Sequence, residues 1–197
     1  MRLLRVLVTR DVPLSVPQLA DECGLSPRGC RLALASLVEE QVVVELGTAR
    51  AQLFRADTRH PLLPALAALF GEEQDRWETL LRQVRAVLQG QPLSAAWYYG
   101  SVARGDDGPA SDFDIAVVVK DTFAVDAVAS AIREALCQIE DNHLVRCSVV
   151  GVSNLDVLRL VKSDDEWWKG LSRDAKVLAG LRPEQYATSL PCGRVAA

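Results

Sequence analysis

No stretch of this 197-residue chain approaches the ~20 consecutive apolar residues of a membrane-spanning helix. The opening Met1-Arg2-Leu3-Leu4-Arg5-Val6-Leu7-Val8 is too short an apolar run for a secretory signal. Cysteine is sparse: Cys23, Cys30, Cys137, Cys147 and Cys192 are odd in number, scattered, and show no C-x-x-C spacing. Only His60 and His143 accompany them, far apart, so no zinc ligand set can be drawn. The expected state is the free thiol of a reducing cytoplasm, with Cys23 and Cys30 in a helical core. Lysine is missing from residues 1–59, where eight Arg against seven acids leave net +1 in a chain of net charge −4. That balance excludes an overt polycation, so nucleic-acid contact would depend on where arginines stand rather than on total charge. Internal repeats are absent.

What is present is enough apolar material, 49% of residues, to bury the core of one large or two small domains. The most informative stretch is Gly100-Ser101-Val102-Ala103-Arg104-Gly105, followed by Ser111-Asp112-Phe113-Asp114 and the apolar run Ile115 to Val119. Ala95-Ala96-Trp97-Tyr98-Tyr99 reads as a buried strand ending at Gly100, where a missing Cβ lets phosphate oxygens approach backbone N–H groups. Asp112 and Asp114 alternate with Phe113, so on a strand both carboxylates leave one face, roughly 6–7 Å apart at Cα. Such a pair suits a hard cation, which prefers oxygen ligands.

These residues resemble the minimal nucleotidyltransferases of the DNA polymerase β superfamily, whose signature is a Gly-Ser turn, an Ala-Arg-Gly continuation and a later Ser-Asp-x-Asp. The resemblance implies that Gly100 and Ser101 bind the triphosphate of a nucleoside triphosphate and that Asp112 and Asp114 hold Mg²⁺. It also implies that a hydroxyl attacks the α-phosphorus while pyrophosphate leaves. Arg104 has two readings, a phosphate contact or a clamp on the loop bearing Asp106 and Asp107. Ser111 joins the nucleotide-binding set, although a local cap for the turn into the strand explains it better than a catalytic role.

The family also uses a third carboxylate on a neighbouring strand, and here the sequence departs. A helix over about 122–140, apolar at Val125, Val128, Ala129, Ile132, Leu136 and Ile139, leads to a strand over about 144–152. One parity of that strand, Val145, Cys147 and Val149, is core. The other presents Arg146 and Ser148 to the site, and Glu140 and Asp141 lie just upstream. His143 is a solvated loop residue on this reading, with a base as the alternative.

Ahead of this region, Ser15-Val16-Pro17-Gln18 is a capped helix start and Gly24 its stop. Ser26-Pro27 starts a second helix with Cys30, Leu34, Leu37 and Val38 as its apolar stripe. Strands at Val42 to Leu46 and Ala51 to Arg55 flank Gly47-Thr48-Ala49-Arg50. A helix-turn-helix followed by a β-hairpin resembles the winged-helix domains of transcription regulators. That resemblance implies DNA contact by Arg28 and Arg31 on the second helix and Arg50 at the wing tip. Solvated arginines on a protein-docking or dimerisation wing are the alternative.

Two helical stretches, one through Leu66, Leu69 and Phe70 and one over about 72–88, read as a connector. After the third strand, Ser153 to Asp156 caps a helix, Trp167 and Trp168 pack, and residues from about 188 fray. The expected fold class is α+β: a winged helix over 1–58, a helical connector over 59–90, and a polymerase-β-like domain over 91–187 with a small mixed sheet flanked by helices. A tail over 188–197 completes the chain. The expected function is nucleoside monophosphate transfer to a hydroxyl, coupled to DNA binding and located in the cytoplasm. The alternatives are a catalytically degenerate nucleotide-sensing regulator or an antitoxin-type module. A partner protein of the toxin–antitoxin kind belongs to the same resemblance.

Overall fold

A computed structural model describes residues 1–48, 51–105, 108 and 111–191, and the chain divides into two compact units, Met1–Arg76 and Trp77–Ala197. In the first unit, α1 (Arg2–Arg10) buries Leu3, Leu4 and Leu7 and ends at Asp11 in a left-handed conformation. A two-residue strand β1 (Leu14–Ser15), too short to read from sequence, precedes α2 (Val16–Cys23). Gln18 Oε1 accepts from the Ser15 backbone N–H at 2.9 Å, and Gly24, at φ 62°, ends the helix. The next helix, α3 (Pro27–Glu39), is capped by Ser26 Oγ, which accepts from Gly29 N–H at 3.1 Å. Leu7, Leu19, Cys23, Cys30 and Leu34 bury against Val43 and Phe54 of the hairpin β2 (Val43–Thr48) and β3 (Ala51–Ala56). β1 lies on the other side of β3, giving the order β1-β3-β2, all antiparallel. Both thiols in this core are pushed upward by burial.

The two helical stretches expected after the hairpin are one continuous helix, α4 (Leu63–Gln89). Gly71 stands in open space within it, so it costs only its weak helix propensity, about 1 kcal/mol, and does not break the ladder. Within the first unit the helix buries Phe70, and the Arg5 guanidinium sits 5.6 Å from its ring centroid.

The second unit holds a four-stranded sheet in the order β6-β5-β4-β7. β4 (Leu93–Tyr99) is antiparallel to β5 (Phe113–Val119), and β6 (Cys147–Val152) is parallel to β5 through the crossover helix α6 (Val125–His143). β7 (Lys176–Ala179) adds antiparallel to the far side of β4. The sheet is therefore mixed and helix-flanked, as the α+β expectation requires. Alternation sorts its two faces. Ala96, Phe113, Ile115, Val117, Val119 and Val149 pack against α6 and the last turns of α4, with Trp77 edge-on to Tyr98 and Phe113. The opposite face, with Ala95, Trp97, Ala116, Val118 and Val152, packs on α7 (Asn154–Lys162), α8 (Glu166–Asp174) and α9 (Pro183–Ser189). Each fully buried aliphatic side chain contributes about 1.5–3 kcal/mol.

Three readings of this region need correction. β6 begins at Cys147, not 144, because α6 runs on to His143 and Leu144 ends it in a left-handed conformation, φ 51°. His143 is buried, with Nε2 3.0 Å from Gln83 Oε1, so it is not a solvated loop residue. Residues 188 and 189 are not frayed: Thr188 Oγ1 donates to the Glu184 carbonyl at 2.8 Å and Ser189 Oγ to the Tyr186 carbonyl at 2.7 Å, closing α9. The edge of β6 is occupied by α6, whose Glu140 Oε1 accepts from Cys147 N–H and whose Arg133 Nη2 donates to the Val149 carbonyl at 2.7 Å. Those two contacts blunt a strand edge otherwise open to pairing. Among the described residues no helix is long and apolar enough to cross a membrane.

Candidate functional site

β4 ends at Tyr99 and the chain turns at Gly100 into a one-turn helix, α5 (Gly100–Arg104). Gly100 has φ +77°, and a Cβ there would stand 2.7 Å from Asp114 Oδ2. Both facts demand glycine: the backbone is left-handed, and a carboxylate fills the space a side chain would need. Asp114 pairs with Tyr99 across the antiparallel ladder, while Ser148 faces it across the parallel one. The Asp114 carboxyl is thus framed by the Gly-Ser turn on one side and β6 on the other.

Asp112 precedes β5 by one residue, shares the parity of Asp114, and is exposed where Asp114 is half-buried. The Asp114 carboxyl is raised above its ordinary value, first by burial and next by the negative charge of Asp112, against a hydrogen bond with Ser148. A like charge that raises the Asp114 carboxyl in this way makes the place favourable for a cation. Mg²⁺ is commonly held by one or two carboxylates together with substrate phosphates, so this donor set fits that ion. Among the described residues no group of three His, Cys, Asp or Glu could hold a metal on its own.

The other residues expected at the site fall into distinct places. Ser101 is half-buried in the first turn of α5. Ser111 closes a local turn: its N–H donates to the Gly108 carbonyl and its Oγ accepts from Gly108 N–H, both at 2.9 Å. Arg104 Nη1 donates to Asp174 Oδ2 at 2.8 Å, tying α5 to the end of α8. Asp106 and Asp107, its other anticipated partners, lie outside the described residues, as does Arg50. Arg28 and Arg31 are exposed on α3, off the buried Cys30 and Leu34 stripe.

Where a third acid was sought, the strand presents Ser148, and Arg146 lies exposed just before β6. Glu140 is turned to the outer edge of β6, and Asp141 stays exposed on α6. The Cys147 thiol is pushed up to about 12 by burial and then by Glu140 and Asp112, so it is no thiolate.

Sequence reasoning missed Asp174. Its carboxyl is held down at about 2 by hydrogen bonds from Arg173 and then Arg104. Nothing in the sequence signals a pair 70 positions apart. Trp167 and Trp168 pack as expected. Trp167 Nε1 donates to Tyr99 Oη at 3.2 Å, and Trp168 sits edge-on to Trp97 at 6.1 Å.

Comparison with known families covers the same stretch of chain. Residues 82–166, from the last turns of α4 to the start of α8, match the family described as "Polymerase beta, Nucleotidyltransferase". That stretch is a nucleotidyltransferase-type domain. Among solved structures, one described as "Crystal structure of the toxin-antitoxin with AMP-PNP" aligns at 19% identity and TM-score 0.40, covering 55% of this chain and 81% of that one. A mutant of the toxin–antitoxin MntA-HpeT aligns at 16% identity and TM-score 0.40, with the same coverage. At that level of likeness nothing about activity or partners transfers. A search of curated proteins finds no match.

Proposed function

We propose that residues 91–187 bind a nucleoside triphosphate with Mg²⁺ and transfer its nucleoside monophosphate to a hydroxyl acceptor. The observation that carries the proposal is the seat of the Asp114 carboxylate directly over Gly100, where a Cβ would come within 2.7 Å of it. The same turn then offers backbone N–H groups and the Ser101 hydroxyl to phosphate oxygens. Asp112 and Asp114 would hold the metal, which when bound supplies neutralisation of phosphate charge. In the transfer, a bond forms between the acceptor oxygen and the α-phosphorus and the bond from that phosphorus to the β-phosphate oxygen breaks. Pyrophosphate departs and the hydroxyl proton passes to solvent water. Arg104, engaged by Asp174, holds α5 in place so that Gly100 and Ser101 meet the phosphates in a fixed orientation.

One observation favours a second reading, nucleotide sensing without transfer: Ser148 stands beside Asp114 where the family places its further acid. Incubation with labelled ATP and Mg²⁺, with and without candidate hydroxyl acceptors, separates the two. Transfer that disappears in Asp112→Ala/Asp114→Ala supports the enzyme. Binding without transfer supports the sensor, and neither leaves a protein-binding module of the antitoxin kind.

The first unit completes the proposal as a winged helix over 1–58 joined by a connector over 59–90. Its support is the capped pair α2 and α3 beside a hairpin, with Arg28 and Arg31 exposed on α3. If α3 reads DNA, binding weakens steeply with salt and is abolished by Arg28→Ala/Arg31→Ala. Unchanged binding in that variant removes α3 from the interface. A partner protein and a cytoplasmic setting rest on the family resemblance alone, and co-purification with neighbouring gene products tests the first.

A further inference from the structure

The strand that lacks a third acid carries an arginine at the same end of the sheet. The Arg146 carbonyl accepts from Phe113 N–H at 2.6 Å, so Arg146 already lies in the parallel ladder. It stands one position ahead of the Phe113 and Cys147 pair, level with Asp112. Alternation gives it the parity of Ser148, which hydrogen-bonds the Asp114 carboxylate, whereas Cys147 and Val149 pack on the α6 side. Neighbouring strands are about 4.8 Å apart, so the Arg146 side chain rises beside Asp112 on the face the two acids share. Arg146 is exposed, and among the described residues no acid pairs with its guanidinium. Arg104, by contrast, is engaged by Asp174.

Resting on the nucleotide reading of the Asp112 and Asp114 site, we propose that Arg146 binds the α-phosphate of the metal-bound nucleotide. The order of strands fixes which phosphate it meets. β4 leads into Gly100 and Ser101 on one side of the acids, and β6 brings Arg146 to the other. Charge that develops on departing pyrophosphate is met by the N–H groups of the Gly-Ser turn. The β- and γ-phosphates therefore lie at the turn, and the α-phosphate lies across β5, within reach of β6. A magnesium-bound triphosphate is still an anion, and the carboxylates of Asp112 and Asp114 oppose its approach. A guanidinium offsets that repulsion, since it is always charged and its paired donors match phosphate oxygens. A carboxylate at this place would act by holding a cation, whereas arginine supplies the positive charge itself.

Calorimetric titration of the full chain in Mg²⁺ with α,β-methylene-ATP and α,β-methylene-ADP tests the proposal. Arg146→Ala weakens both analogues by at least about tenfold, and Arg146→Lys weakens them less, because the charge stays while the paired donors go. Arg159→Ala, an equal loss of charge on α7, binds both as the wild type does. Only the backbone of Arg146 joins the ladder, so the circular dichroism spectrum and thermal midpoint of both Arg146 variants stay as in the wild type. Wild-type affinity for both analogues in Arg146→Ala overturns the proposal while the nucleotide reading stands. A loss confined to the triphosphate moves Arg146 to the γ-phosphate and overturns its place on the α-phosphate. A wild type that binds neither analogue removes the nucleotide reading, and the role of Arg146 with it.

Discussion

The two faces of β5 come from one alternating run, yet they are built for different work. Phe113, Ile115, Val117 and Val119 point to α6 and are all buried, a continuous apolar row with no polar atom to satisfy. The other parity begins with Asp112 and Asp114 and passes to Ala116 and Val118 within two turns of the pleat. That face grades from a solvated carboxylate through a half-buried one to a dry core holding Trp97, fully buried with Nε1 donating to the Leu181 carbonyl at 2.8 Å. A strand can hold two acids rigid in this way: the apolar face anchors it, and the proposed site lies where the opposite face opens. A rigid element positions such groups more tightly than a loop would.

Substitutions on the two faces are expected to separate stability from binding. The largest effect belongs to Trp97→Ala, which removes a fully buried indole and strands the Leu181 carbonyl. Urea unfolding then shows a loss of about 3–5 kcal/mol. Next, Ile132→Ala, on the α6 side, lowers stability by about 2–5 kcal/mol while nucleotide affinity, titrated below the unfolding range, stays as in the wild type. The comparison breaks if that variant loses affinity in proportion to stability.

Gly100→Ala reverses the pattern. Strain at φ +77° and the clash with the Asp114 carboxylate cost about 1–2 kcal/mol. Nucleotide affinity, followed by calorimetry, falls by at least about tenfold, because the turn and the acid can no longer share their space. The smallest effect is at Asp174, whose folded-state value of about 2 lies below the ordinary 3.8. A depressed carboxylate stabilises above its unfolded value and loses that contribution as pH falls toward the folded one. Asp174→Asn therefore costs about 1 kcal/mol near neutrality. In thermal melts the gap from wild type closes below about pH 4.

Much of this arrangement was legible in the residues. Helix starts at Ser15, Ser26 and Ser153 were readable because a cap is local chemistry, and the faces of β5 were readable because a strand has period two. The Gly-Ser and Asp-x-Asp pattern pointed to the turn and the acids through its resemblance to a known family. What escaped was set by distance or by tertiary override. β1 is two residues long and exists only because β3 offers it an edge. β7 and α9 are short elements held by packing on Trp97 and its neighbours. Leu144, a leucine in a conformation that favours glycine, hid the end of α6 and moved the start of β6. The Arg104 and Asp174 pair joins segments that no local pattern connects.

The function proposed for the second unit rests on metal-dependent nucleotide binding at Asp114. Isothermal titration with a non-hydrolysable ATP analogue, with and without Mg²⁺, in the wild type and in Asp114→Asn, measures it directly. The predicted result is binding in the wild type that requires Mg²⁺ and is lost in the variant. Equal binding by the two proteins, or binding indifferent to Mg²⁺, would contradict it.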